Sequence, residues 1–262
     1  MTSRVAIITG AARGIGASTA TTLAAAGWSL VLVDRCADDP ALSYALATPA
    51  DLDAVVAACG TEQCVGVRED VRDQDALDRA VALATDRFGG LDAALAIAGC
   101  IAGAPAWETS DEIWSTMIDV NLGGVRRLAR AAIPAMLERP APREGRFVAV
   151  SSAGGTLGLP LLTAYTAAKH AVNGFVRSLA AELGPHGITA NAVAPGSTAT
   201  AMLDASAAIY GLSDPADFTV HHQIGRLVDP GEVAALIAWL CGPASGALTG
   251  AVLPIDAGMT AG

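Results

Sequence analysis

Short β-branched runs alternate with longer Ala- and Leu-rich stretches along this chain. The runs at residues 5–9, 29–33, 64–68, 91–96, 146–151, 189–194 and 251–255 predict strands. Helical patterns cover residues 15–26, 73–88, 111–138, 164–183 and 231–240. This alternation predicts an α/β fold: a parallel sheet covered by helices on both faces, with right-handed crossovers. No internal repeat and no low-complexity linker divides the chain, so residues 1–262 read as a single domain. Residues 140–142 read as a surface turn and 197–225 as a long excursion.

Composition narrows the partners. Apolar residues make up 52% of the chain and aromatics only 4%, so the core must be built from Ala, Val, Leu and Ile. The net charge of −10 leaves no basic surplus to neutralise phosphates, which argues against a nucleic-acid partner and against an anionic membrane surface. Five cysteines (Cys36, Cys59, Cys64, Cys100 and Cys241) include no C-x-x-C pair. Reduced thiols in a cytoplasmic protein fit that pattern better than a disulfide scaffold. Val5 opens the first strand with no signal-peptide layout before it, and no apolar run is long enough to span a membrane. No metal site is expected, because the adjacent His221 and His222 lack a third ligand at a suitable spacing.

Two constellations carry chemistry. Thr9-Gly10-Ala11-Ala12-Arg13-Gly14-Ile15-Gly16 follows the first strand and opens a helix. Residues without Cβ let backbone N–H groups approach a pyrophosphate, and the helix N-terminus supplies a favourable dipole. Asp34, about 20 residues further on at the end of the second strand, is placed to accept from ribose hydroxyls and to repel a 2′-phosphate. That favours NAD, although the adjacent Arg35 is able to pair with such a phosphate. The second constellation is Tyr165-Thr166-Ala167-Ala168-Lys169, whose i, i+4 spacing sets Tyr165 and Lys169 one turn apart on one helix face. An ammonium there is expected to lower the phenol's pKa toward a useful range. Ser152, just after the fifth strand, supplies a hydroxyl for a substrate oxygen whose charge changes.

Together Thr9–Gly16, Ser152, Tyr165 and Lys169 resemble the short-chain dehydrogenase/reductase family over essentially the whole chain. The resemblance implies a single Rossmann-fold domain, a doubly wound sheet, and hydride transfer between an alcohol or ketone and NAD. It also implies roles for further residues. Asn121, in Asp119-Val120-Asn121, would hold a proton-relay water; Asp70 and Val71 would contact the adenine; Pro195, Gly196, Thr198 and Thr200 would grip the nicotinamide. Ala98 and Gly99 close the stretch after the fourth strand. One departure stands there: the family's Asn-Ala-Gly reads Ile97-Ala98-Gly99, which leaves backbone groups in need of other partners. Residues 36–52 resemble the insertion of the mycofactocin-associated, carveol-dehydrogenase-like subgroup. In that subgroup the insertion covers a non-exchanging NAD that is recycled by an external electron carrier. Leu42, Tyr44 and Leu46 are expected over the adenosine half, and Thr48-Pro49-Ala50-Asp51 has the form of a helix start.

The substrate-facing segments carry few charges, which suits a small lipophilic secondary alcohol or its ketone. Family members pair through the two long helices, and Gly123, Gly124, Ala167, Ala171 and Gly174 there imply a homo-oligomer, a tetramer. Two alternatives stay open: an ordinary NAD(P)H-dependent ketoreductase with exchangeable cofactor, and a non-catalytic dinucleotide-binding protein.

Overall fold

The computed structural model describes residues 4–261; residues 1–3 and 262 of the expected domain lie outside them. Seven strands form one sheet: β1 Val5–Thr9, β2 Ser29–Asp34, β3 Cys64–Arg68, β4 Ala93–Ala96, β5 Gly145–Val150, β6 Ile188–Pro195 and β7 Val252–Ile255. All are parallel, in the order β3-β2-β1-β4-β5-β6-β7. The order reverses between β1 and β4, so the loops leaving their carboxyl ends diverge and open a crevice.

Alternate strand residues feed two layers. Ile7, Val31 and Val33 face α3 (Gln74–Phe88), α5 (Gly124–Leu137) and α6 (Thr163–Leu183). Their neighbours Ile8, Leu30 and Leu32 face α1 (Gly14–Ala25), α2 (Pro49–Cys59) and α8 (Pro230–Cys241). Because both faces are covered, the central strands are buried throughout. Two further helices, α4 (Asp111–Ile118) and α7 (Ala201–Ile209), stand at the crevice end beside a third, smaller apolar cluster.

Three differences from the sequence expectation concern the crevice. The helix expected over 111–138 is broken by a π-helical turn at Asp119–Gly123, between α4 and α5. The turn brings Asn121 against Cys100, a tertiary demand invisible to helical spacing. The excursion after Ser197 contains α7, and residues 49–59 form α2, whose start is fixed by a reciprocal capping box between Thr48 and Asp51.

The tightest packing lies at the start of α1. A Cβ on Gly16 would stand 1.9 Å from the Gly10 carbonyl oxygen, and one on Gly10 2.6 Å from the Ala98 Cα. Both neighbours are backbone and cannot swing aside. Gly16→Ala is therefore expected to destabilise the fold by about 1–3 kcal/mol, the usual cost of overpacking. A denaturation midpoint equal to the parent's would show that α1 is free to move.

Candidate active site

Every residue expected to hold the cofactor lines one cleft of about 940 Å³ at the carboxyl end of the sheet, and so do Ser152, Tyr165 and Lys169. β1 delivers the glycine turn, with Gly10 and Gly14 at positive φ. A Cβ on Gly14 would meet only the Thr200 side chain, so this glycine faces the cleft. No side chain caps α1, and no acidic residue sits in its first turn. Its first N–H groups thus stay available to an anion.

At the end of β2, Asp34 accepts hydrogen bonds from the Ala12 N–H (3.0 Å) and the Cys36 N–H (3.2 Å). These hold the carboxylate against the glycine turn. Arg35 is turned toward two carboxylates, Asp39 and Asp70, and Arg72 bridges the same pair. For Asp39 and Asp70 burial pushes upward, but the N–H and guanidinium partners outweigh it and hold both carboxyls below the usual range. The glycines, the uncapped helix and the ribose-height carboxylate fit a dinucleotide.

The opposite end of the cleft is dry. α6 carries Tyr165, 7% exposed, and Lys169, 3% exposed, on its buried face. Lys169 Nζ donates to the Val150 carbonyl at 2.9 Å and lies 5.6 Å from the Tyr165 ring centre. Ser152 Oγ accepts from the Gly154 N–H at 3.0 Å, and the Ser152 hydroxyl is hydrogen-bonded to Tyr165. Burial pushes the Tyr165 phenol above its ordinary value, with the Ser152 hydrogen bond working against it. Burial also pulls the Lys169 ammonium down to about 8. This corrects the expectation of a phenol lowered by its lysine: burial dominates both groups, and Lys169 is not among the causes that shift Tyr165. Cys100, nearby, is pushed up to about 12 by burial and remains a thiol.

Asn121 stands apart from the cleft lining. It is fully buried and holds the turn after β4: Nδ2 donates to the Cys100 and Met117 carbonyls, and Oδ1 accepts from the Cys100 N–H. Both amide donors are spent on the protein, so its side chain has none left for a water. The Ile97 departure is resolved by Thr9, whose Oγ1 accepts from the Ile97 and Ala98 N–H groups at 3.2 and 3.4 Å.

The insertion takes a different path from the one expected. Tyr44 does not lie over the adenosine half alone; its hydroxyl accepts from the Ile101 N–H at 3.1 Å. Tyr44 and Leu42 pack with Cys100, Ile101 and Tyr165. Arg13 donates to the Ala45 carbonyl at 2.9 Å, so the segment crosses from β2 over the glycine turn to the loop after β4. The apolar cluster of Cys100, Ile101, Leu162 and Tyr165 gives these side chains a surface to bury against. His222, dismissed in the sequence as half of a loop pair, is buried, with Nδ1 on the Arg226 carbonyl and Nε2 accepting from the Ser197 N–H. It pins both ends of the substrate-side excursion, and nothing in the linear sequence marks that role.

The family described as enoyl-(acyl carrier protein) reductase matches residues 10–260. The chain is 39% identical over 264 residues to an uncharacterized NAD-dependent oxidoreductase of Mycobacterium tuberculosis (strain ATCC 25618 / H37Rv), covering 97% of this chain and 95% of that one. It is 36% identical over 274 residues to (-)-trans-carveol dehydrogenase of Rhodococcus erythropolis, covering 98% and 97%. Among solved structures, carveol dehydrogenase from Mycobacterium avium in complex with NAD superposes with a TM-score of 0.93 at 34% identity, over 99% of this chain and 98% of that one. The chain belongs to the short-chain dehydrogenase/reductase family.

The buried lysine has a measurable signature. With its native pKa lowered to about 8 from 10.5, the native state holds fewer protons than the unfolded state between those values. Stability therefore rises with pH across that window, and the penalty of the buried ammonium is full below pH 8. Lys169→Met is expected to raise Tm over the parent at pH 7, with the gain shrinking as pH approaches 10.5. Equal melting of the two proteins from pH 7 to 10 would contradict the assignment.

Proposed function

We propose that this chain oxidises a small lipophilic secondary alcohol, or reduces its ketone, with NAD as the hydride carrier. Membership of the family and the fit of the cleft make it an NAD-dependent oxidoreductase. The observation that carries the substrate class is the catalytic end of the cleft. Ser152 and Tyr165 open onto walls of Leu157, Leu159, Met202, Leu203, Phe218 and Met259. Two polar side chains there are already engaged: Tyr210 donates to the Pro160 carbonyl at 2.7 Å and Ser206 to the Met202 carbonyl at 2.9 Å, while Asp217, His221 and Gln223 stand at the same wall. An alcohol whose only polar group is the reacting oxygen loses nothing on entry. Arg226, the basic residue nearest this edge in the sequence, has its fork taken by Glu232. That weighs against a phosphorylated or carrier-bound substrate.

In this reading Ser152 hydrogen-bonds the substrate oxygen while Tyr165 takes the alcohol proton. Lys169 has three donors, one of them spent on Val150, and presents the rest to the cleft. Bound NAD supplies the acceptor for the hydride. Tyr165→Phe removes the hydroxyl alone and is expected to lower turnover of secondary alcohols by about 100-fold or more while NAD binding persists. A near-normal rate on a panel of apolar alcohols would sink the mechanism. NAD binding with no turnover of any alcohol by the parent would favour a non-catalytic protein.

The path of the insertion supports a tightly held cofactor of the mycofactocin type. Such a cofactor must be returned to its starting state in place by an external electron carrier, and the ordinary exchanging ketoreductase is the alternative. Asp38 accepts from the Leu46 N–H at 2.8 Å, so the two limbs of the loop lie side by side and a short turn is able to join them. Replacing residues 40–47 by a Gly-Ser turn is expected to speed release of NAD, followed by gel filtration and mass spectrometry of what stays bound. Unchanged release would remove the support for retention. A homotetramer, built through α5 and α6, fits the outward-facing Gly174, beside which a Cβ would meet nothing; Gly124 instead packs on Val71 of its own chain. The cytoplasm is the compartment that suits five free, buried cysteines, and among the described residues no helix is long and apolar enough to cross a membrane.

A further inference from the structure

The far end of the cleft from Tyr165 holds four charged side chains in a closed ring. Asp39, the first acidic residue to turn back into the cleft after β2, is 6% exposed. Its Oδ2 receives Arg35 Nη1 and, at 2.9 Å, Arg72 Nη2; its Oδ1 receives the Ala41 N–H at 3.0 Å. Arg72 also grips Asp70 in a fork, with Nε at 3.1 Å and Nη2 at 2.7 Å, and Arg35 Nε reaches Asp70 at 3.4 Å. All four residues line the cleft, and so does Asp34 at the end of β2.

We propose that Asp39 is a second determinant of dinucleotide choice, an internal stand-in for the 2′-phosphate of NADP that occupies the two guanidiniums able to receive it. The proposal rests on the reading of this cleft as a dinucleotide site and adds a residue to it. Two arginines beside an adenosine ribose are, by charge and fork geometry, a phosphate receptor. Here one buried carboxylate oxygen takes a hydrogen bond from each, and the Ala41 N–H fixes its partner oxygen. A 2′-phosphate carries close to two negative charges. To bind it would have to displace Asp39, leaving that carboxylate buried and unpaired, and it would still meet Asp34. Asp34 therefore repels the phosphate directly, while Asp39 removes the cations that would compensate. This explains how Arg35 sits next to the ribose-height acid without opening the site to NADP.

The test separates specificity from bracing. Protein is incubated with an equimolar excess of NAD and NADP until the bound ratio is constant, then gel-filtered, and the retained dinucleotides are quantified by mass spectrometry. Asp39→Asn keeps the shape and an acceptor for Ala41 but removes the charge, and Asp39→Ser does the same with a smaller group should the first variant fold poorly. The bound NADP:NAD ratio is expected to rise by about tenfold or more, the scale of one freed charged hydrogen bond. Adding Arg35→Gln to either variant should bring the ratio back down. If Asp39 only braces the insertion, both dinucleotides weaken together and the ratio stays at the parent's value, which overturns the proposal. A parent that retains neither dinucleotide would overturn the underlying reading of the cleft, an outcome seen in total bound nucleotide rather than in the ratio.

Discussion

Backbone meets backbone where β1 ends, and the site is arranged around that contact. Gly10 lies so close to Ala98, and Gly16 to Gly10, that no side chain fits between them. The chain leaving β1 is thus pressed against the chain leaving β4, directly at the point where the strand order reverses. Thr9 seals the contact by accepting from the Ile97 and Ala98 N–H groups and donating to the Leu95 carbonyl. With that junction rigid, α1 presents an uncapped end to the cleft and Asp34 is held at a fixed height by Ala12. A one-atom side chain at either glycine would move the helix, the turn and the carboxylate together.

The two ends of the cleft handle charge in opposite ways. Near β2, two arginines and two aspartates neutralise one another within a ring, so each carboxyl remains ionised. Near β5, Lys169 has no carboxylate and only a carbonyl for company, and burial weakens its charge. The first arrangement suits recognition, which requires a fixed pattern of donors and acceptors. In the second, burial meets no opposite charge, and it draws the Lys169 ammonium down to about 8 and pushes the Tyr165 phenol up. Both ends are buried; what separates them along one continuous crevice is whether the buried charge has an opposite charge beside it.

Much of this was legible in the sequence. The strand and helix alternation predicted all seven strands and both helical layers, because a sheet buried on two sides leaves a distinct apolar signature. The glycine turn, Asp34, Ser152, Tyr165 and Lys169 could be read because each depends on local spacing. What escaped depends on distant contacts. α2 buries only Leu52 and Cys59, so its apolar pattern was faint despite the visible cap at Thr48. The π turn follows from Asn121 reaching Cys100, 21 residues earlier in the chain. The rise of the Tyr165 phenol comes from burial, which the spacing to Lys169 does not encode.

The insertion shows most directly why local reading stops short. Its composition gave apolar side chains and its position placed them beside the ribose site, so the nearest part of the dinucleotide was the natural target. Three anchors decide otherwise. Asp39 is buried between Arg35 and Arg72, the capping box fixes Thr48 at the head of α2, and Arg13 grips Ala45 from the glycine turn. With its ends set, the tip reaches whatever apolar surface lies within its span, and that surface is Ile101 with the cluster around Tyr165. The segment consequently joins the two electrostatically distinct ends of the cleft: Asp39 completes the charged ring, and Tyr44 packs in the apolar cluster around Tyr165. A change at either end is felt by the same strap, because one short segment holds the charged ring and the apolar cluster together.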